Sequence, residues 1–245
     1  MKPSIAWQKM AGMAALAFAL SATSATVAVA EHAHIEVPSG RTPAVHLSPR
    51  RLSEQESGIG LRIPDLPLTG VDGTAHTLYA QKGARGTVVV VRDPACPVSR
   101  RYGPRISEIA SHFERRGFSF VFIYPSVDLD HAQRTEDART LNVDGIYAER
   151  GSFALAEHLG VKSTGDVFVL DSQGRIRYRG AVDDQFGLGY TRDAPTSHYL
   201  RNALEAVQAD RPVRIPATAA PGCYIDADPA FDLQIPQLPG EHLLS

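Results

Sequence analysis

The order of elements along this 245-residue chain predicts an α/β layer fold, with a central mixed sheet flanked by helices and closed by an antiparallel hairpin. Three observations carry that expectation. Residues 87–91 and 118–124 are apolar runs rich in β-branched and aromatic side chains, with the length of buried strands. Between and after them, apolar residues recur at helical spacing. Further on, two short apolar runs flank Asp171-Ser172-Gln173-Gly174, a hairpin signature.

Lys2 and Lys9 precede or flank an apolar run at residues 10–20, and Ala28-Val29-Ala30 offers a small-residue cleavage site, so residues 1–30 are expected to be a signal peptide. The run is short for a membrane span, and no stable membrane insertion is expected after processing. Residues 31–58 are polar with scattered prolines and read as a linker with no fold assigned. The domain is expected over residues 59–212. It opens on an N-terminal hairpin, in which residues 63–68 alternate, Asp72-Gly73 turns the chain and Thr77-Leu78 resumes the apolar pattern. The strand at 87–91 ends in Asp93-Pro94, and Pro97 suits the first turn of a helix. Tyr102, Ile106, Ile109, Ala110 and Phe113 give that helix its apolar face, and Pro104 predicts a kink or a late start.

After the strand at 118–124, Asp130 is expected to cap a helix running through Gln133, Ala138 and Leu141. Residues 146–148 read as a short strand, Ser152 as the cap of a helix over 153–159, and Gly160 as its stop. The hairpin pairs 167–170 with 176–179. An amphipathic helix over about 196–209 comes next, with Leu200, Ala203, Leu204 and Val207 on one face. Asp183-Asp184 reads as a solvated turn with a capping role. Residues 213–245 form an extension that carries Cys223, aperiodic and proline-containing from Asp226 onward.

Composition, 43% hydrophobic and 21% charged, is that of an ordinary globular protein and indicates no activity. The formal charge of −2 becomes −4 once Lys2 and Lys9 leave with the signal peptide, which suggests no nucleic-acid partner. Cys96 and Cys223 are the whole cysteine inventory, so one internal pairing exists and no iron–sulfur cluster or multi-cysteine zinc site can be built. Export to the periplasm or beyond would permit that pairing. His32 and His34 read as solvated, the other histidines show no ligand spacing, and neither a metal nor another cofactor is implied.

Cys96 carries the chemistry. It stands between the strand and Pro97, at a helix N-terminus, where unpaired N–H groups and the helix dipole favour the nucleophilic thiolate. The competing reading is a small buried hydrophobe.

Several motifs resemble the redoxin branch of the thioredoxin-like superfamily, the alkyl hydroperoxide reductase and thiol-specific antioxidant domains. They are Pro64-Asp65-Leu66-Pro67-Leu68, Asp93-Pro94-Ala95-Cys96-Pro97, and Gly165-Asp166-Val167-Phe168-Val169-Leu170-Asp171. More narrowly, the chain is similar to bacterial redoxin domains with Cys-Pro-x-Ser-x-x-Tyr-x-Pro, here Cys96 to Pro104, and with Tyr178-Arg179-Gly180, Asp183-Asp184, Pro195-Thr196 and Gly222-Cys223. The resemblance implies a thioredoxin-like fold with Cys96 as nucleophile and Cys223 as its remote partner. It also implies a substrate pocket that draws on Asp93, Pro97, Ser99, Arg100, Tyr102, Thr164 and Gly165. Two positions depart from the pattern: Ser99 replaces the second cysteine of Cys-x-x-Cys, and Thr164-Gly165 stands where the superfamily has a cis-proline.

Three chemistries fit. One is peroxide reduction through a sulfenic acid, although Asp93 occupies the position where peroxiredoxins place Thr. Another is thiol–disulfide exchange resolved by Cys223. The third is non-catalytic, a fixed Cys96–Cys223 disulfide that staples the extension to the domain in a binding or structural module. The partners expected are protein thiols and disulfides or small peroxides, and the sequence specifies no oligomeric state.

Overall fold

A computed structural model describes residues 48–187 and 189–225. The elements are α1 (Glu54–Ser57), β1 (Pro67–Gly70), β2 (Ala75–Thr77), β3 (Gly86–Val91), α2 (Pro97–Glu114), β4 (Phe118–Ile123) and α3 (His131–Leu141). They continue as β5 (Ile146–Arg150), α4 (Ser152–Leu159), β6 (Val167–Asp171), β7 (Ile176–Gly180), β8 (Phe186–Gly187), β9 (Tyr190–Thr191) and α5 (Tyr199–Gln208). Seven strands form one sheet in the order β2-β1-β5-β4-β3-β6-β7. The β3–β4 and β4–β5 pairs are parallel, while β1–β2, β1–β5, β3–β6 and β6–β7 are antiparallel. This is the mixed sheet expected from the element order.

β3 is buried along its whole length because both faces of the sheet are covered. Its side chains alternate between two cores. Val88 and Val90 pack with Ile106, Ile109 and Phe113 of α2 and Leu200, Ala203 and Leu204 of α5. Val89 and Val91 face Leu155, Ala156 and Leu159 of α4 together with Leu68 and Leu78 of the N-terminal hairpin. Each fully buried valine or leucine contributes about 1.5–3 kcal/mol, so this central strand holds the segment at its C-terminal end in a fixed place. Arg92, Asp93 and Cys96 lie on that segment.

Local details differ from the sequence reading. α2 starts at Pro97 and runs through Pro104 to Glu114, so the proline does not delay it. Asp130 caps α3 reciprocally with Gln133, as expected. α4 is instead capped by Gly151 in the left-handed region, and Ser152 is its first residue: the buried hydroxyl donates to the Ala148 carbonyl and accepts from the Tyr124 N–H. α5 begins at Tyr199, because Thr196 and Ser197 are drawn out of the helix by Asp184, whose carboxylate accepts both of their N–H groups.

Asp183 and Asp184 are buried rather than solvated. Asp183 accepts from the Tyr102 hydroxyl at 2.9 Å and pairs with Arg105, tying α2 to the chain after β7. The segment read as a linker is described from residue 48, and there Ser53 and Glu56 form a capping box around α1. Residues 216–219 lie along the β7 edge, with Arg179 N–H donating to Pro216 and Thr218 N–H to Arg179, and residues 50–52 pair with them in turn. The predicted signal peptide, His32 and His34, and the arm from Asp226 lie outside the described residues. No described helix is long and apolar enough to cross a membrane.

Candidate active site

Cys96 is the N-cap of the 18-residue α2, with Pro97 at the first helical position. Its N–H donates to the Asp93 carbonyl at 3.1 Å and its own carbonyl accepts from Arg100 N–H at 3.0 Å, so the thiol leaves the chain where strand becomes helix. The residue is 2% exposed. Ser99 is a buried hub one turn on: its hydroxyl accepts from Asp93 N–H at 3.1 Å, and its carbonyl accepts from the Arg92 guanidinium. The Asp93 carboxylate is engaged locally by Ala95 N–H at 2.8 Å.

The opposing wall is the turn before β6. Lys162 N–H and Ser163 N–H converge on the buried Asp166 carboxylate at 2.9 and 3.2 Å, which folds residues 162–166 into a tight loop. The Asp166 carbonyl accepts from Val91 N–H at 3.0 Å, and that bond ties the loop to the end of β3. Thr164 is thereby held beside Cys96.

Against this loop the C-terminal segment runs antiparallel. Thr164 N–H donates to the Cys223 carbonyl at 3.0 Å, Ile225 N–H to the Lys162 carbonyl at 3.1 Å, and Cys223 N–H to the Thr164 hydroxyl at 3.0 Å. Gly165, at the position where the superfamily has cis-proline, has a steric role here. A Cβ at 165 would lie 1.9 Å from the Pro221 carbonyl oxygen, and one at Gly222 would lie 2.6 Å from both the Ser163 and Thr164 hydroxyls. The two glycines let tail and loop backbones touch. Gly165→Ala is therefore expected to lift the tail, at a cost of about 1–3 kcal/mol as in other overpacked sites. Native-state alkylation of Cys96 would become faster as the melting temperature falls; a variant that alkylates and melts like the wild type would show that the contact is dispensable.

Both cysteines are free thiols, Cys96 buried and Cys223 exposed. Burial pushes the Cys96 thiol up, but the neighbouring Cys223 thiol and Thr164 hydroxyl, with smaller contributions from the Ser99 and Cys223 backbone, hold it below its ordinary value. Cys223 moves the other way, pushed up to about 11 by its interaction with Cys96, by burial and by the charges of Cys96 and Asp93, with Thr164 opposing. The two thiols are thus shifted in opposite directions.

Of the other residues singled out in the sequence, Tyr102 lines a narrow gap with Ser99, Thr164 and Gly165 while its hydroxyl turns to Asp183. Arg100 is exposed and lines a separate cavity between α2 and α3. Sequence reasoning did not find Asp137, whose carboxylate pairs with Arg92 behind Cys96, nor the Asp166–Arg179 pair behind Thr164. Among the described residues, no group of three or more His, Cys, Asp or Glu side chains could hold a metal ion.

A thiol at a helix N-terminus after a central strand, faced by a loop before an antiparallel strand, defines a thioredoxin-like protein. The redoxin family model matches residues 59–192, and the chain belongs to that family. Among solved structures it is similar to an uncharacterized conserved protein from Geobacillus kaustophilus, with 24% identity over 71% of this chain and 94% of the other at a TM-score of 0.63. A hypothetical protein from Sinorhizobium meliloti 1021 gives 20% identity, 73% and 96% coverage and a TM-score of 0.62. No curated protein matches the chain.

Proposed function

We propose that the protein is an exported thiol oxidoreductase in which Cys96 attacks a disulfide and Cys223 resolves the product. The observation that carries this reading is the convergence of the two thiols on Thr164, with Cys96 shifted toward thiolate and Cys223 away from it. The Cys96 thiolate would displace one thiolate from the substrate disulfide and form a mixed disulfide. Cys223 would then give up its proton to the departing thiolate and attack the Cys96 sulfur, releasing the second half of the substrate. The substrate is reduced to two thiols, and the protein is left as a Cys96–Cys223 disulfide. An external thiol reductant closes the cycle. The signal-peptide reading of residues 1–30 supports export, where such exchange is permitted.

A peroxide would lead to the same oxidised protein through a Cys96 sulfenic acid and loss of water. The experiment that separates the branches compares wild type, Cys96→Ser and Cys223→Ser against a model disulfide and a small peroxide. Disulfide reduction that depends on Cys96 supports the reading. Equal rates in all three proteins with both oxidants would remove every catalytic version and leave the cysteines as structural.

A further inference from the structure

Behind Cys96 lies a charged cluster that the exchange reaction does not use. Arg92, 2% exposed, comes directly after the last residue of β3, and Asp137, 7% exposed, belongs to α3. The guanidinium meets the carboxylate in the two-pronged manner, Nε to Oδ2 at 3.0 Å and Nη2 to Oδ1 at 2.6 Å. The remaining nitrogen, Nη1, donates to the Ser99 carbonyl. Tyr124, just past β4, donates its hydroxyl to Asp137 Oδ2 at 3.0 Å. A buried ion pair of this kind is a poor source of stability, since apolar residues of similar volume often serve as well. Its geometry therefore calls for another explanation.

That explanation runs through Ser99. The same residue receives Arg92 on its carbonyl and Asp93 N–H on its hydroxyl, and the Asp93 carbonyl in turn accepts from Cys96 N–H at 3.1 Å. Resting on the reading of Cys96 as nucleophile, we propose that Arg92 is a positioning residue: Asp137 orients its guanidinium, which clamps the Ser99 carbonyl and so fixes the first turn of α2 and the Asp93 turn from which the Cys96 thiolate emerges. A planar fork fixed by a carboxylate has one orientation, whereas an ammonium at the same place is a point charge. The groups facing Cys96 itself are Cys223 and the Thr164 hydroxyl, with Asp93 adjoining; those facing Arg92 are Asp137 and, through it, Tyr124.

The test is the pH dependence of Cys96 alkylation by iodoacetamide in the full, reduced protein, read by mass spectrometry of the Cys96 peptide. Arg92→Lys keeps the charge and loses the fork. It is expected to raise the alkylation midpoint and to slow the reaction at neutral pH by about three- to tenfold, the scale of a helix N-terminus acting on a nearby anion. Tyr124→Phe removes a bond to Asp137 without touching Ser99, and is expected to lower the melting temperature with the midpoint unchanged. Should Arg92→Lys not fold, the triple variant Arg92→Met, Asp137→Leu, Tyr124→Phe replaces the whole cluster with apolar groups, and the same raised midpoint is expected from it. A folded Arg92→Lys or triple variant with the wild-type midpoint overturns the proposal, as does Tyr124→Phe shifting the midpoint as far as Arg92→Lys. A wild-type midpoint at or above that of an ordinary thiol would instead overturn the nucleophile reading beneath it.

Discussion

Cys223→Ser is expected to stop the protein after half a reaction. Mixed with a model disulfide, it should release one thiol and retain the other half covalently on Cys96, whereas wild type should release both and finish as the internal disulfide. The difference arises from proximity: two hydrogen bonds join Cys223 to Thr164 and a third joins Ile225 to Lys162, which keeps the second thiol beside the first. An intramolecular thiol in that position acts at an effective concentration no solute thiol reaches. Cys96→Ser should release thiol no faster than an ordinary exposed thiol would, because the hydroxyl is a weak nucleophile at neutral pH without a neighbouring base and only the exposed Cys223 thiol remains. Intact-protein mass after acid quench reads all three outcomes. Adduct on Cys223 in Cys96→Ser at the wild-type rate would reverse the roles assigned to the two residues.

The second large effect is expected at Arg179, which lies in the strand behind the Thr164 loop. Asp166 and Arg179 are both buried, 3.7 Å apart, and Arg179 also donates to the carbonyls of Leu159 and Gly160 at the end of α4. Burial raises the Asp166 carboxyl above its ordinary value, and the Lys162 N–H and the Arg179 charge oppose the rise. Arg179→Ala leaves that buried carboxylate without an ionic partner, held only by the Lys162 and Ser163 N–H groups, at a cost of about 3–5 kcal/mol near neutral pH. A carboxyl raised in the folded state favours folding when protonated, and that contribution is lost as pH climbs through the folded-state value. Without Arg179 the folded-state value climbs further. The stability gap between variant and wild type should therefore be smallest in acid, where both proteins hold Asp166 protonated, and widen above the usual carboxylate range. Urea unfolding at several pH values measures it, and a gap independent of pH would mean that the lost contacts to α4, not the buried charge, account for the defect.

The sheet was legible because its strands are nearly pure β-branched and aromatic runs, and α2 and α5 because their apolar residues repeat at helical spacing. Those signals are local. The place of Cys96 at a helix N-terminus was legible for the same reason: strand, Asp-Pro turn and Pro97 succeed one another in the sequence. What the sequence hid depends on residues far apart along the chain. Arg92 and Asp137 are 45 residues apart, and each alone reads as a surface charge. The available signal was an arginine directly after an all-apolar strand, where a buried charge requires a partner. Gly165 looked like the loss of a constraint. It is a gap that only the tail, more than fifty residues later, fills. Asp183 and Asp184 read as solvated for want of their partners Tyr102, Arg105 and Thr196, which only the fold brings to them.

The division of roles between the two thiols is open to parallel alkylation of both in the reduced wild-type protein as a function of pH, each traced by the mass of its own peptide. Cys96 is expected to reach half its maximal rate below the pH of an ordinary thiol, and Cys223 to do so near 11. Cys96 titrating at or above Cys223 would refute that division, because the buried sulfur at the head of α2 would then not be the thiolate of the pair.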